Sequence, residues 1–262
     1  MNDSRIVVVT GGTQGIGLAA VKRFLQNGDT VVAGSVDDGE EVNSALADLA
    51  GCGEVFWQYL DVSSRTNCQK FLADVVAKYG RIDVLANVAG IVENISPILD
   101  LDFGAVEKVL DVNLMGTLYM ALEAAKYMAR QGEGTIINIS SVCAYRAGNS
   151  NVGYHAAKGG VVSATKVLGR ELSRYGIRCV AVAPGFVRTR MFDPSTEEDT
   201  KRNMMKGRMI EPEEIAGTIF LMALEDASAI NGSTVMADDG LCSFYGPAWT
   251  FSDLMTQEYS WQ

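Results

Sequence analysis

The sequence contains a single histidine, His155, among 262 residues. Its five cysteines (Cys52, Cys68, Cys143, Cys179 and Cys242) are scattered, odd in number and form no Cys-x-x-Cys pair. Without clustered His, Cys and carboxylate ligands, a histidine-rich metal site is excluded. Without a cysteine framework, a reduced, cytoplasmic setting is expected. Basic residues are scarce too: 22 Lys plus Arg stand against 32 Asp plus Glu, for a net charge of −10. That balance disfavours nucleic acid and anionic membrane surfaces as partners. No apolar run approaches the ~20 residues of a membrane span. The opening Met-Asn-Asp-Ser-Arg leads straight into a short strand and lacks a signal-peptide layout. Internal repeats, low-complexity tracts and linkers are missing as well. The composition, 48% hydrophobic and 21% charged, is that of one ordinary globular domain over residues 1–262.

What is present is an alternation of short apolar runs and amphipathic stretches. Arg5-Ile-Val-Val-Val-Thr10 has the β-branched signature of a buried strand. Gly11-Gly12-Thr13-Gln14-Gly15-Ile16-Gly17 follows, and then Leu18, Val21, Phe24 and Leu25 recur at helical spacing, with Gly28 as a stop. Strand, glycine turn, helix is the arrangement that lets backbone N–H groups and a helix dipole approach a pyrophosphate. The spacing here is Gly-x-x-x-Gly-x-Gly. Thr30 to Ala33 reads as a second strand, and its end carries Gly34-Ser35-Val36-Asp37-Asp38. Two carboxylates with no Arg or Lys would repel a ribose 2′-phosphate, which favours NAD over NADP.

Further strands are expected at Val55–Leu60, Ile82–Ala86, Thr135–Ser140, Arg178–Ala183 and Ser233–Ala237. Asp61-Val62 closes the third strand, where the carboxylate can meet an adenine, cap the helix opened by Ser63 and Ser64 and ended by Gly80, or do both. The fourth strand leads to Asn87-Val88-Ala89-Gly90, whose small residues would let a cofactor lie against the chain. Glu107 to Arg130 is a long helical pattern. Its Asn113, polar among apolar neighbours, is either an ordinary helix amide or a kink that holds a water near Lys158. A helix starts at Glu211 with Pro212 in its first turn. The alternation predicts an α/β fold with one parallel sheet covered by helices on both faces.

The chemistry gathers between Ser141 and Lys158. Ser141 stands at the end of a strand. Tyr154 and Lys158 are four residues apart in a helix expected from Val152 to Tyr175, so they share a face. A free phenol has a pKa of about 10. A neighbouring ammonium would lower it, making Tyr154 a proton donor to a carbonyl or an acceptor from an alcohol. His155 points about 100° away from Tyr154 on that helix and is read as packing or solvent-facing. Ala156, Ala157, Gly159, Gly160 and Ala164 on the same helix suit a subunit interface.

With these residues in place, the chain resembles the classical short-chain dehydrogenase/reductase family. The likeness rests on Thr10-Gly-Gly-x-x-Gly-Ile-Gly17, Asp61-Val62, Asn87-x-Ala-Gly90, Asn113, Ser141, Tyr154-x-x-x-Lys158, and Pro184-Gly185 with Thr189. It implies a single Rossmann-type, doubly wound domain with a seven-stranded parallel sheet, usually in a homotetramer. It also implies roles: Tyr154 as acid/base, Lys158 on the nicotinamide ribose, Ser141 on the substrate oxygen and Asn113 holding a relay water. The implied cofactor residues are Gly11, Thr13, Gln14, Gly15, Ile16 and Gly17 in the turn and Ser35 and Asp37 at the ribose. They continue with Asp61, Val62, Asn87, Ala89 and Gly90, Tyr154 and Lys158, and end with Pro184, Gly185, Val187 and Thr189 at the nicotinamide. Two positions depart from the family pattern. Val88 replaces the second Asn of Asn-Asn-Ala-Gly, and Ser35 stands where NAD-preferring members usually carry Asp.

The expected substrate is a small-molecule secondary alcohol or ketone. In 3-oxoacyl-carrier-protein reductases, basic residues near the rim engage an acidic carrier. The matching positions here, Gly132 and Tyr175, are not basic. Bacterial hydroxysteroid dehydrogenases share several short pieces with the chain. The segment 186–209, with Phe186, Met191, Phe192, Met204, Met205 and Met209, reads as a mobile substrate lid. The tail 241–262 is aromatic and is expected to pack on something. Together they suit a bulky apolar alcohol, although Met and aromatic residues serve cores equally well. A 3-oxoacyl thioester reductase, a polyol or small-diol dehydrogenase and, more remotely, a non-catalytic nucleotide-sensing module are the alternatives.

Overall fold

The computed structural model describes residues 4–37, 39–148 and 151–243. Asp38 and the aromatic stretch from Phe244 onward lie outside the described residues. Seven parallel strands form one sheet in the order β3-β2-β1-β4-β5-β6-β7. They are β1 (Ile6–Thr10), β2 (Thr30–Ser35), β3 (Val55–Tyr59), β4 (Val84–Asn87), β5 (Gly134–Ile139), β6 (Ile177–Pro184) and β7 (Thr234–Ala237). The helices are α1 (Gly15–Leu25), α2 (Gly39–Asp48), α3 (Arg65–Tyr79), α4 (Phe103–Leu110), α5 (Thr117–Gln131), α6 (Val152–Leu172), α7 (Glu197–Lys201) and α8 (Pro212–Met222).

The strand order reverses between β1 and β4, which leaves a crevice at their carboxyl ends. β1 shows why its run is continuously apolar. Val7 and Val9 enter the core on one face, Ile6 and Val8 the core on the other, and all four are buried. A strand buried on both faces has no use for alternation. Thr10 ends β1, and its hydroxyl accepts from the backbone N–H groups of Val88 and Ala89, both at 3.0 Å. One side chain thereby ties the exit of β4 to the exit of β1.

Three elements differ from the reading of the sequence. α2 was not foreseen, because its ten residues bury only Val42 and Ala45. The long helix begins at Phe103, and its middle, residues Asp111–Gly116, is π-helical. Asp61 does not cap α3. Ser64 does, accepting from Asn67 N–H at 3.3 Å, while Asp61 turns to Ser63 through its N–H at 3.0 Å and its hydroxyl at 2.7 Å. α8 begins as expected, with Pro212 in its first turn and a capping box between Glu211 and Glu214.

Candidate active site

Two glycines shape the mouth of the crevice. Gly11 has φ of 67°, and a Cβ there would lie 2.9 Å from Ala89 Cα. A Cβ on Gly17 would lie 2.0 Å from the Gly11 carbonyl oxygen. Only glycine allows this turn to close under the N-terminus of α1, and the resulting cradle fits a pyrophosphate. Gln14 and Gly15 line a cavity of about 470 Å³ with Thr189, Lys22, Arg188 and Arg190, so the segment after β6 comes down beside the turn. Gly185 is held to β7 by its N–H on the Ala237 carbonyl at 3.1 Å, and Val187 pairs with Ile210. Pro184 ends β6.

At the end of β2, Asp37 accepts a hydrogen bond from the Thr13 hydroxyl, which places a carboxylate against the glycine turn. Ser35 is different. It is buried, and its hydroxyl accepts from Trp57 Nε1 at 2.9 Å. Val62 is buried against Gly116 of the π-segment. Asn87 is buried, and its amide donates to Asn138 Oδ1 at 2.9 Å.

The four candidate catalytic residues converge on the far side of β4. Lys158 is 3% exposed and donates to the Ile139 carbonyl at 2.8 Å. Its Nζ lies 5.6 Å from the centre of the Tyr154 ring. The Ser141 hydroxyl lies beside the Tyr154 phenol, whose charged form it favours, and accepts from Cys143 N–H at 3.1 Å. Asn113 is fully buried and pairs with both backbone groups of Ile91, accepting at 2.8 Å and donating at 2.7 Å. A methyl group added to Gly90 would lie 3.2 Å from Asn113 Oδ1 and 3.7 Å from Lys158 Nζ. The Asn113 amide thus serves the loop after β4, and the kink it marks is a π-turn.

The electrostatics reverse one expectation. Burial pushes the Tyr154 phenol up to about 12; Cys143 and Glu93 add to the effect and the Ser141 hydroxyl opposes it. Burial likewise pulls Lys158 down to about 8. The enclosure that brings the pair together disfavours both charged forms, so desolvation outweighs the ammonium's pull on the phenol. The two nitrogens of His155 serve the entry to α6: Nε2 accepts from Gly148 N–H at 3.1 Å, which leaves Nδ1 to donate to the Asn151 carbonyl at 2.9 Å.

Two neighbours of Tyr154 escaped the sequence reading. Glu93 is buried, with both carboxylate oxygens 3.2 Å from the Tyr154 backbone nitrogen. Cys143 stands beside Ser141. The apolar segment after β6 is split: Met204 and Met209 are core residues, whereas Phe186 and Met191 are exposed, with Phe186 edge-on to Phe192. No described helix is long and apolar enough to cross a membrane, and no metal-binding cluster occurs among the described residues.

The family model described as short chain dehydrogenase matches residues 5–200. The chain is 34% identical over 245 residues to a 3-oxoacyl-acyl-carrier-protein reductase of Thermotoga maritima, covering 91% of this chain and 98% of that one. It is 33% identical over 248 residues to 3beta-hydroxysteroid dehydrogenase 2 of Eggerthella lenta, covering 90% and 94%. An actinorhodin polyketide ketoreductase variant solved with NADPH superposes with a TM-score of 0.87 at 29% identity, over 93% of this chain and 99% of that one. The parallel sheet, the glycine cradle and these matches together place the chain in the short-chain dehydrogenase/reductase family, as an oxidoreductase of the NAD(P)-binding kind.

Proposed function

We propose that the chain interconverts a secondary alcohol and a ketone, with NAD preferred over NADP. The observation that carries this reading is the convergence of Tyr154, Ser141 and Lys158 at the carboxyl ends of β4 and β5. Tyr154 gives its phenolic proton to the ketone oxygen, or takes the proton of the alcohol in the reverse direction. Ser141 donates to the same oxygen and fixes its place. Lys158, anchored on the Ile139 carbonyl, would offer its remaining N–H groups to a nicotinamide ribose and to the phenol. Asn113 holds the turn of backbone that accommodates a relay water. A nicotinamide bound there would supply the hydride for the carbonyl carbon, or accept it in the oxidative direction.

The turn from Gly11 to Gly17 would hold the pyrophosphate. Asp37 would accept from the adenosine ribose hydroxyls, with Asp61 and Val62 at the adenine. Asn87, Ala89 and Gly90 would line the cofactor, and Pro184, Gly185, Val187 and Thr189 would flank the nicotinamide. The Asp37 carboxylate, locked by Thr13, favours a free 2′-hydroxyl over a 2′-phosphate.

The exposed Phe186 and Met191 favour a bulky, ring-like apolar substrate, and the similarity to a hydroxysteroid dehydrogenase agrees with it. A 3-oxoacyl thioester is the second reading, favoured by the likeness to the Thermotoga maritima reductase. Against it stand Gly132 and Tyr175, which offer an acidic carrier no basic anchor. A cytoplasmic homotetramer is the expected form. Initial rates with NAD⁺ and NADP⁺ on hydroxysteroids, a 3-hydroxyacyl thioester, a polyol and a short diol test the reading. Turnover of the steroids with NAD⁺ supports it; turnover of the thioester alone favours the second reading. Tyr154→Phe should keep cofactor binding and lose roughly a hundredfold or more in kcat, and retained turnover would overturn the mechanism.

A further inference from the structure

Glu93 has no place in the chemistry just described, yet it is among the most enclosed of the described carboxylates, with 6% of its surface exposed. It lies three residues past Gly90, on the segment that leaves β4. Its two oxygens straddle the backbone N–H of Tyr154 at 3.2 Å each. Tyr154 is the third residue of α6, so that N–H belongs to the first turn, where a helix offers donors no intrahelical acceptor can reach. The residue that ordinarily fills this role does not. Asn151, which precedes the helix, makes no side-chain capping bond, and its buried side-chain oxygen has no partner among the described residues. A carboxylate 61 positions upstream along the chain caps the helix in its stead.

The neighbouring sequence makes room for this. Gly153 is the second residue of α6, and a Cβ there would lie 3.0 Å from Glu93 Oε1 and 3.1 Å from Val106 Cα. The glycine lets α4, Glu93 and the first turn of α6 meet at one point. A negative charge at a helix N-terminus is favourable in itself. It also stands close enough to the phenol to disfavour the phenolate. The titratable and charged groups facing that phenol are Lys158 on α6, Cys143 on the loop after β5 and Glu93 on the segment after β4.

We propose that Glu93 is a positioning residue for Tyr154: it fixes the tyrosine's backbone from outside α6 and adds a negative charge to the surroundings of the phenol. The proposal rests on Tyr154 being the proton-transferring group. Two variants separate its parts. Glu93→Gln keeps an acceptor for the Tyr154 N–H and removes the charge; Glu93→Ala removes both.

The first readout is phenolate absorbance in the ultraviolet, followed to the highest pH at which the fold persists. Subtracting Tyr154→Phe isolates the residue of interest. Phenolate should develop at lower pH in both variants than in the wild type, by on the order of half a pH unit. The second readout is the split between kcat and KM. Glu93→Gln should hold kcat within a few-fold, whereas Glu93→Ala should lower it roughly ten- to a hundredfold with the cofactor KM unchanged. Gly153→Ala, which crowds the carboxylate without touching its charge, should reproduce the loss in kcat. A cap with a purely structural role would lower the melting temperature and leave the phenol's titration where it was. Phenolate onset in Glu93→Gln no earlier than in the wild type overturns the proposal, as does wild-type kcat in Glu93→Ala. If the alanine variant does not fold, the glutamine variant decides by itself. If the wild type turns over no alcohol or ketone, the assigned activity fails, while the optical titration still tests the charge on the phenol.

Discussion

Replacing Lys158 by methionine should stabilise the protein while ending its activity. Lys158 is 3% exposed, and burial holds its ammonium at about 8 against an ordinary 10.5. That displacement corresponds to about 3 kcal/mol of folding free energy withheld whenever the lysine must fold charged. Methionine has similar length and no charge to desolvate. It leaves the Ile139 carbonyl without its 2.8 Å partner, which costs about 1–2 kcal/mol. The net gain is on the order of 1–2 kcal/mol, or about 5 °C in melting temperature for a chain of this size.

The pH dependence carries the decisive sign. The lysine binds fewer protons folded than unfolded, so its penalty is complete below about 8 and relieved as pH rises toward 10.5. The advantage of Lys158→Met should therefore be largest near neutrality and shrink across that interval. Calorimetric melting of both proteins between about pH 6 and 10 measures it. A variant that melts below the wild type at neutral pH, by an amount indifferent to pH, would refute the reasoning. It would show that the hydrogen bond and packing of Lys158 outweigh its desolvation.

Two further substitutions test the frame of the site. Thr10→Val keeps the shape of a side chain 1% exposed and strands two N–H groups, so it should cost about 1–3 kcal/mol and weaken cofactor binding; unchanged urea unfolding would contradict the role given to that hydroxyl. Asp37→Ala should weaken NAD binding on the order of tenfold and narrow the gap to NADP, read by titration of each cofactor; an unaltered ratio would move cofactor choice elsewhere.

What the sequence made legible was local. The glycine turn announces itself because Gly11 and Gly17 meet backbone within a few residues of themselves or across one strand pair. Tyr154 and Lys158 declare a shared face through one turn of helix. Continuous apolar strands such as β1 mark a sheet covered on both sides. What stayed hidden depends on distant partners. Glu93 finds Tyr154 across 61 positions, and nothing near Glu93 signals it. The ionisation of Tyr154 turns on enclosure by several elements, which spacing does not encode. Ser35 looked free for a ribose until Trp57 of the neighbouring strand took its hydroxyl. Met204 and Met209 have the composition of a lid and the burial of a core, and methionine serves both.

The π-turn at Asp111–Gly116 gives the helix from Phe103 to Gln131 something like a reading frame. Before it, Val106 and Val109 are buried, Val106 against Gly153 of α6; after it, Met120, Ala121, Ala124 and Met128 are buried under the sheet. Each helical residue advances the side chains by about 100°. A turn closed from i to i+5 holds about one residue more than an α-turn. Losing that residue would restore an unbroken α-helix and leave Met120 and Met128 facing the sheet, while the loop after β4 would lose the widened turn from which Asn113 meets Ile91. Such a deletion is felt at the site and spares the core.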